Sequence, residues 1–273
     1  MNVVDRMVDY ATRPVPLRAL VLRKFLSRWP LGSYGTRVRA GAVARPPYAW
    51  CAYQAAMEAK ALGYSAVTVV EVGVAKGGGL LCLCEHSHEI RKELGVEVVV
   101  VGFDSGEGLP ATNDPRDVNY FWCSGAYKMD RQGLEKQLAG RAELILGDVS
   151  RTTPAWSPRA DAPLGAVMFD LDLYTSTCAS FALLTNENAL PRVWCYFDDV
   201  AGSAQNALTE RIGEREAIRH FNLMPDRELL HDHLSPAFTF KGMAPEYWHP
   251  HIYLYHRFSH PSYNTYLISV PGR

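Results

Sequence analysis

The sequence predicts an α/β fold built on a doubly wound, mostly parallel sheet, and three observations predict it. Short apolar runs rich in β-branched residues recur along the chain, which is typical of parallel strands buried on both faces. Segments with helical patterning separate these runs, as crossover connections require. Each run also ends in a carboxylate, which indicates that one edge of the sheet carries the function.

The predicted elements follow one another in a regular order. A helix over 48–62 leads to a strand over 66–73, and a glycine-rich turn then opens a helix over 77–94. Further strands are predicted at 96–104, 143–146, 164–169 and 193–197. The tail contains three strand-like runs without intervening helices, at 238–240, 251–255 and 263–269. We therefore expect antiparallel C-terminal strands that close the sheet.

The charge distribution divides the chain into two predicted regions, a basic N-terminal helical arm or lid (1–46) and the main domain (47–273). Residues 1–45 hold nine Lys and Arg against two Asp, a net of +7, whereas the remainder holds 19 against 27, a net of −8. A helix is predicted over 17–29, with Leu22 and Phe25 on its apolar side. The arm either docks on the acidic body, contacts a second subunit, or binds an acidic partner or a membrane surface.

The overall composition narrows the class of protein. The formal net charge of −1 excludes a globally basic nucleic-acid binder, so we expect no nucleic-acid partner. No apolar run approaches the ~18 residues of a membrane span. Arg18 and Arg23 interrupt the apolar core that a secretory signal would need. We therefore expect a cytoplasmic protein without stable membrane association.

Carboxylates stand at the carboxyl ends of all five predicted parallel strands. In a doubly wound sheet, ligands bind outside these ends, at the point where the strand order reverses. A single acid there could equally cap the helix that follows, but acids at all five ends predict a binding site. They are Glu71, Asp104, Asp148, the pair Asp170 and Asp172, and the pair Asp198 and Asp199.

The chemistry of these residues favours S-adenosylmethionine as the ligand. Gly73 and Gly77 allow a tight turn and a close approach of the backbone, and Asp104 on the second strand suits the two hydroxyls of a ribose. The glycine spacing differs from the nicotinamide-binding pattern, and a diphosphate would be repelled by so many acids. S-adenosylmethionine carries a ribose, a sulfonium and an ammonium, and no phosphate.

Four motifs resemble those of macrocin O-methyltransferase-type enzymes, which methylate sugar hydroxyls of natural products. Phe103–Pro110 is similar to that family's Asp-Ser-Phe-Glu-Gly-Leu-Pro, and Phe169–Thr177 to its Ile-Asp-Gly-Asp-Leu-Tyr-Glu-Ser-Thr. Phe197–Asp199 resembles its Asp-Asp-Tyr element and Gly213–Phe221 its Gly-x-Arg helix. The resemblance covers roughly residues 70–222 in one consistent order. Gly106 replaces an aromatic residue of the family.

The resemblance implies a Rossmann-like class I methyltransferase sheet with a cofactor site and a metal site. It places S-adenosylmethionine against the strand ends and Mg²⁺ on a set of carboxylates, which are hard oxygen ligands. For the cofactor it implies Glu71, Gly73, Asp104 and the corner at Gly147 and Asp148. The full set of predicted cofactor-binding residues is Glu71, Gly73, Gly77, Asp104, Ser105, Asp148 and Asp170. The implied metal ligands are Asp170, Asp198 and Asp199.

We therefore predict an S-adenosylmethionine-dependent O-methyltransferase, Mg-dependent, that acts on a hydroxylated small molecule such as a sugar-bearing natural product. Asp170 or Asp172 would be the catalytic base, with a C-terminal histidine (His249, His251 or His256) as a further candidate. Two alternatives remain open. One is a methyltransferase that works without a metal, and the other is a non-catalytic Rossmann-like binding protein.

Overall fold

The structure is a computed structural model, and it describes residues 17–201, 209–224, 229–231 and 248–265. The arm contributes α1 (Leu17–Arg28) and α2 (Tyr34–Arg39), and α3 (Pro46–Ala61) precedes the first strand. The first α/β units are β1 (Ala66–Val72), α4 (Gly78–Leu94), β2 (Glu97–Asp104), α5 (Arg131–Leu138), β3 (Glu143–Leu146) and α6 (Val149–Ala155). The chain continues with β4 (Leu164–Phe169), α7 (Tyr174–Ser180), β5 (Ala189–Phe197), α8 (Gly213–Asn222), β6 (Leu229–His231) and β7 (Ile252–His256).

The seven strands form one sheet in the order β3-β2-β1-β4-β5-β7-β6. Strands β1 to β5 pair in parallel, and β7 runs antiparallel to both β5 and β6. The predicted doubly wound sheet with an antiparallel C-terminal strand is confirmed. The order reverses between β1 and β4, which is where a ligand is expected in such a sheet.

The strands are buried because helices cover both faces of the sheet. Alternate residues of a strand point to opposite faces, and accordingly Val67 and Val69 join one core cluster whereas Val70 and Val72 join the other. The first cluster packs α3 and α4 against the sheet, with Trp50 edge-on to Trp194 at 6.3 Å between ring centroids. The helices cover the two faces of the sheet, whereas the carboxyl ends of its parallel strands border a cavity.

Several predicted boundaries differ from the observed ones. The fifth strand begins at Ala189, four residues earlier than predicted, and the edge strand β6 was not predicted. The predicted strand at 263–269 is a turn over 263–265, and its remainder lies outside the described residues, as does the whole of 238–240. These runs are apolar enough to resemble strands, but alternation alone does not supply a neighbouring strand to pair with.

Helix α1 is confirmed within a residue of the prediction, and its apolar side chains face outward. Val21, Phe25 and Trp29 are 60%, 44% and 54% exposed. By contrast, α2 is docked on the body, since the backbone N–H groups of Tyr34 and Gly35 donate to Glu93 on α4. Across the described ranges, we find no helix that combines the length and the apolar character needed to cross a bilayer.

Candidate functional site

A cavity of about 640 Å³ opens at the carboxyl ends of the parallel strands. Its acidic lining divides into two walls along the edge of the sheet. The β1–β3 wall carries Glu71, Asp104 and Asp148, and the β4–β5 wall carries Asp170, Asp172, Asp198 and Asp199. The structure therefore brings every predicted carboxylate to one cavity. Gly73 and Ser105 line it as well.

Glu71, the last acid of β1, is almost completely buried at the base of the cavity. The Tyr48 hydroxyl donates to its Oε1 at 2.9 Å, whereas its Oε2 has no hydrogen-bond partner among the described residues. Burial and the charge of Asp170 raise the pKa of Glu71 to about 8. An orphaned buried carboxylate oxygen is costly, and a bound cation would satisfy it.

The two predicted glycines have different roles. Gly73 has a φ of +93°, and a Cβ built on it would lie 1.8 Å from the carbonyl oxygen of Asp170, so only glycine allows the two walls to meet there. Gly77 has a φ of +82° and precedes α4, but a Cβ there would meet the side chain of Leu134 instead. Gly77 is not one of the residues that line the cavity; Gly78 and Gly79 line it instead.

Asp104 at the end of β2 is held by backbone donors rather than standing free. Its Oδ2 accepts hydrogen bonds from the N–H groups of Val74 and Ala75 at 2.9 and 2.8 Å, and its Oδ1 accepts one from Gly106 at 2.7 Å. Asp104 thus fixes the turn after β1 as well as lining the cavity. Oδ2 already accepts two hydrogen bonds, whereas Oδ1 can accept one more, so a ribose hydroxyl can still bind there.

Asp148 is the N-cap of α6. Its Oδ1 accepts from both the backbone N–H and the hydroxyl of Ser150, at 2.9 and 2.8 Å, and these bonds lower the pKa of Asp148. The neighbouring Ser105 is similarly occupied, since its hydroxyl donates to the carbonyl of Gly108 at 2.9 Å. Both residues combine a local structural role with a place on the cavity surface.

The β4–β5 wall concentrates carboxylates that raise one another's pKa. Burial and the charge of Asp198 raise the pKa of Asp170 to about 7. Burial and a hydrogen bond with Asp199 raise the pKa of Asp172 to about 8. Asp172 also has a φ of +60°, in the left-handed region that is costly for a residue with a side chain. Strain of this kind clusters at functional sites.

Two residues that the sequence analysis did not single out position this wall. Glu214 of α8 accepts the backbone N–H of Asp199 at 2.9 Å and that of Leu171 at 3.4 Å, so it ties together the loops that follow β4 and β5. The Tyr196 hydroxyl donates to Oδ1 of Asp198. The only available signal was indirect, because Glu214 falls within the motif Gly213–Phe221.

Aromatic residues from the loop between β2 and α5 line the mouth of the cavity, and they too were missed. The ring centroids of Trp122 and Tyr127 lie 6.3 Å apart. The indole N–H of Trp122 is buried without a partner among the described residues. Burial and the charges of Asp172 and Asp199 raise the pKa of Tyr127.

The predicted metal ligands Asp170, Asp198 and Asp199 all line the cavity, but they are not arranged as a coordination sphere. Within the ranges that the structure describes, no three His, Cys, Asp or Glu side chains are grouped so that they could hold a metal ion. One oxygen of Asp198 is already hydrogen-bonded to Tyr196, and Asp172 is paired with Asp199. The donor chemistry suits Mg²⁺, whereas the present arrangement does not fit it.

The C-terminal histidines lie outside this cavity. Nδ1 of His251 is 2.7 Å from the carbonyl oxygen of Phe197, and Nδ1 of His256 is 2.6 Å from the hydroxyl of Tyr263. Burial lowers the pKa of His249 to about 4. None of the three is among the residues that line the cavity.

Comparison with known proteins identifies the fold. No family model matches the chain, and no curated protein sequence matches it. A crystal structure of CalS11, a calicheamicin methyltransferase, is 19% identical, with a TM-score of 0.50 over 94% of this chain and 91% of that one. The fold is that of the class I methyltransferases. The fold that the motif resemblance implied is thereby confirmed.

Two further solved structures are similar to this chain with lower TM-scores. An apo structure of CalS11, described as a TDP-rhamnose 3′-O-methyltransferase, is 17% identical over 92% of this chain and 90% of that one, with a TM-score of 0.45. The O-methyltransferase TomG from Streptomyces achromogenes is 13% identical over 91% and 94%, also with a TM-score of 0.45.

Proposed function

We propose that this protein transfers a methyl group from S-adenosylmethionine to a hydroxyl of a small molecule. The observation that carries the proposal is the cavity itself, which lies at the switch point of a methyltransferase fold and is lined by carboxylates on both walls. A ligand with a sulfonium and an ammonium complements such a cavity, whereas a nucleoside diphosphate would be repelled.

The β1–β3 wall supports the binding of this cofactor group by group. Oε2 of Glu71, which has no partner among the described residues, would bind the ammonium, and Oδ1 of Asp104 can accept a hydrogen bond from one ribose hydroxyl. The backbone at Gly73 is open to close approach because no side chain covers it. Asp148, beside α6, would lie next to the adenine. This is a fit of residue chemistry to the cofactor that the fold implies.

The β4–β5 wall supports the acceptor and its proton. S-adenosylmethionine supplies a methyl group activated by the adjoining sulfonium. Asp172 accepts the proton of the acceptor hydroxyl, because a carboxylate with a pKa near 8 is matched to proton transfer near neutral pH. Holding the hydroxyl in line with the methyl group contributes on the order of 7–11 kcal/mol at most. Trp122 and Tyr127 supply an apolar surface for a ring on the acceptor.

The acceptor class we propose is a hydroxylated natural product or its sugar. The motif resemblance supports it, and a structurally similar protein is described as a calicheamicin methyltransferase.

We also retain as proposals the division into an arm (1–46) and a main domain (47–273), a contact between two copies through the arm, and a cytoplasmic location. The outward-facing apolar residues of α1 are consistent with a second copy, and the mass in solution before and after removal of residues 1–33 tests it.

Magnesium is a separate part of the proposal. Asp170, Asp198 and Asp199 would bind it only after their side chains turned toward one another, so we assign no catalytic step to the metal. Titration of the purified protein with Mg²⁺, in the presence of S-adenosylhomocysteine, tests the site directly. Saturable binding that Asp198→Asn removes supports Mg²⁺ dependence; absence of binding, together with full methyl transfer in EDTA, favours the metal-independent enzyme.

Calorimetric titration with S-adenosylmethionine tests the proposed function. We expect saturable binding, and we expect Glu71→Gln to weaken it by about 1.5–3 kcal/mol because a charged acceptor of the ammonium is lost. Glu135→Gln is the matched control, since Glu135 forms an exposed ion pair with Arg131 away from the cavity. Absence of saturable binding would identify a non-catalytic member of this fold and overturn the proposal.

A further inference from the structure

The guanidinium of Arg45 lies in a cavity lined by acids. It lies at the end of the arm, immediately before α3, and its guanidinium stacks on the ring of Tyr48 at 5.1 Å. Among the described residues, the guanidinium of Arg45 makes no hydrogen bond and no ion pair, although Glu71 and Asp170 line the same cavity. Burial lowers the pKa of Arg45, but the charges of Tyr48 and Glu71 raise it above its usual value overall. The guanidinium is therefore charged and available to an anion.

The head of Arg45 lies beside the head of Glu71 at the first turn of α4. A Cβ built on Gly78 would lie 3.5 Å from Nη2 of Arg45, and a Cβ built on Gly79 would lie 1.7 Å from Oε1 of Glu71. The guanidinium of Arg45 and the carboxylate of Glu71 therefore lie next to the consecutive residues Gly78 and Gly79. Tyr48 positions both groups, because its hydroxyl donates a hydrogen bond to Glu71 and the guanidinium of Arg45 stacks on its ring.

The backbone at Arg45 indicates that this placement is imposed by the fold. Its φ of +38° lies in the left-handed region, which a non-glycine residue adopts at a cost. The residue that follows is Pro46, which restricts the conformation of Arg45 further. A surface arginine that only offset the charge of the acids would need no such fixed position.

We propose that Arg45 binds the carboxylate of the amino-acid end of S-adenosylmethionine, while Glu71 binds the ammonium of the same end. This inference rests on the proposed function. An α-amino acid carries one positive and one negative group on adjacent atoms, which matches the adjacent heads of Glu71 and Arg45. A guanidinium binds a carboxylate through two parallel hydrogen bonds, a geometry that a lysine cannot reproduce.

Lys76 is the competing candidate, because it is another cation that lines the cavity and it lies in the turn after β1. It is exposed, and the structure gives it no contact with Glu71. The two residues can be separated experimentally, since each can be changed to glutamine without altering the other.

The experiment compares three ligands by calorimetric titration: S-adenosylhomocysteine, its decarboxylated analogue that keeps the amine, and 5′-methylthioadenosine. We expect Arg45→Gln to weaken binding of S-adenosylhomocysteine about 10- to 100-fold, the range for a hydrogen bond to a charged group. Binding of the two ligands without a carboxylate should change less than about threefold. Lys76→Gln and the arm control Arg37→Gln, whose partner is Glu89 outside the cavity, should leave all three affinities near wild type.

The three ligands also distinguish a failure of the proposed function from a failure of the Arg45 assignment. If the wild-type protein binds none of the three ligands, the proposed function fails. If it binds them and Arg45→Gln weakens all three equally, or none, the assignment of Arg45 is wrong. If Lys76→Gln rather than Arg45→Gln selectively weakens S-adenosylhomocysteine, the carboxylate belongs to Lys76 and the inference is overturned.

Discussion

Carboxylates line both walls of the cavity, but those of Asp104 and Asp148 have different surroundings from those of Asp170 and Asp172. On the β1–β3 wall, Asp104 and Asp148 accept hydrogen bonds from backbone N–H groups. On the β4–β5 wall, Asp170 and Asp172 face other carboxylates, and their pKa values rise. Asp104 and Asp148 therefore stabilise the first wall, whereas Asp170 and Asp172 destabilise the second. Glu71 on the first wall resembles the second pair, because burial and the charge of Asp170 raise its pKa to about 8.

This difference shows that carboxylates at equivalent strand ends can have opposite effects on the stability of the fold. An acid that binds the backbone helps to form the site and should cost stability when it is removed. An acid held among like charges has no such partner, and the fold retains it at a cost in stability. Residues that break local rules without a local gain are expected at functional sites. The β4–β5 wall is therefore the wall on which chemistry should depend most.

The largest effect should come from removing the proposed base. We expect Asp172→Asn to lower turnover by about 10²–10⁴-fold, the usual contribution of a positioned base, while S-adenosylmethionine affinity stays within a few fold. In the wild type, turnover should rise with pH up to about 8, because Asp172 must lose its proton to act. That rise should be absent in the variant. The measurement is steady-state methyl transfer to an acceptor found by screening hydroxylated small molecules.

Asp170→Asn provides the matched comparison on the same wall. If turnover and its pH dependence are lost with Asp170→Asn and retained with Asp172→Asn, Asp170 is the base and the assignment between the two predicted residues is reversed. If neither substitution alters the pH profile, the proton leaves by a route that uses neither carboxylate.

An intermediate effect is expected on the β1–β3 wall. Asp104→Ala removes the acceptor of three backbone N–H groups and should lower the free energy of unfolding by about 1–3 kcal/mol. It should also weaken S-adenosylmethionine binding by about 1.5–3 kcal/mol. Chemical denaturation and calorimetric titration measure the two quantities. Unchanged stability would mean that these backbone bonds are readily replaced by water, and unchanged affinity would remove Asp104 from the ribose site.

Much of this comparison could be predicted from the sequence, because it depends on local order. The β-branched runs predict the strands, and parallel strands bring their carboxyl ends to one edge, so acids at Glu71, Asp104 and Asp170 had to meet. The hydrogen-bond donors that each carboxylate would meet could not be predicted. The backbone donors of Val74 and Ala75 reach Asp104 only after the turn has formed.

Residues that reach the site from distant segments were missed for the same reason. Glu214 has the appearance of an acid in the first turn of an amphipathic helix, which is an ordinary surface position. Its burial follows from the packing of α8 over the loops after β4 and β5. Arg45 and Tyr48 precede β1 and belong to no strand-end pattern, so periodicity gave no sign that they line the cavity or support it.

The smallest expected effect is a change in the free energy of unfolding of Asp172→Asn, and whether this change is a gain or a loss tests the contrast between the walls. Asp172 has a pKa raised to about 8 in the folded protein, against about 4 in an unfolded chain. The folded state therefore binds more protons between these values, so the stability associated with this group is present below about pH 4 and is lost as the pH rises through about 8. Asp172→Asn should accordingly raise the free energy of unfolding at pH 8.5, by on the order of 1 kcal/mol, and should have little effect at pH 4.5.

Thermal unfolding at the two pH values measures this. Asp148→Asn is the control from the other wall, where the lowered pKa of Asp148 predicts no gain in stability at high pH. An increase in stability that accompanies the loss of turnover would mean that the β4–β5 wall keeps its charge for catalysis at the expense of the fold. If Asp172→Asn instead destabilises the protein at both pH values, Asp172 holds the loop after β4 in place as Asp104 holds the turn after β1, and the contrast between the walls disappears.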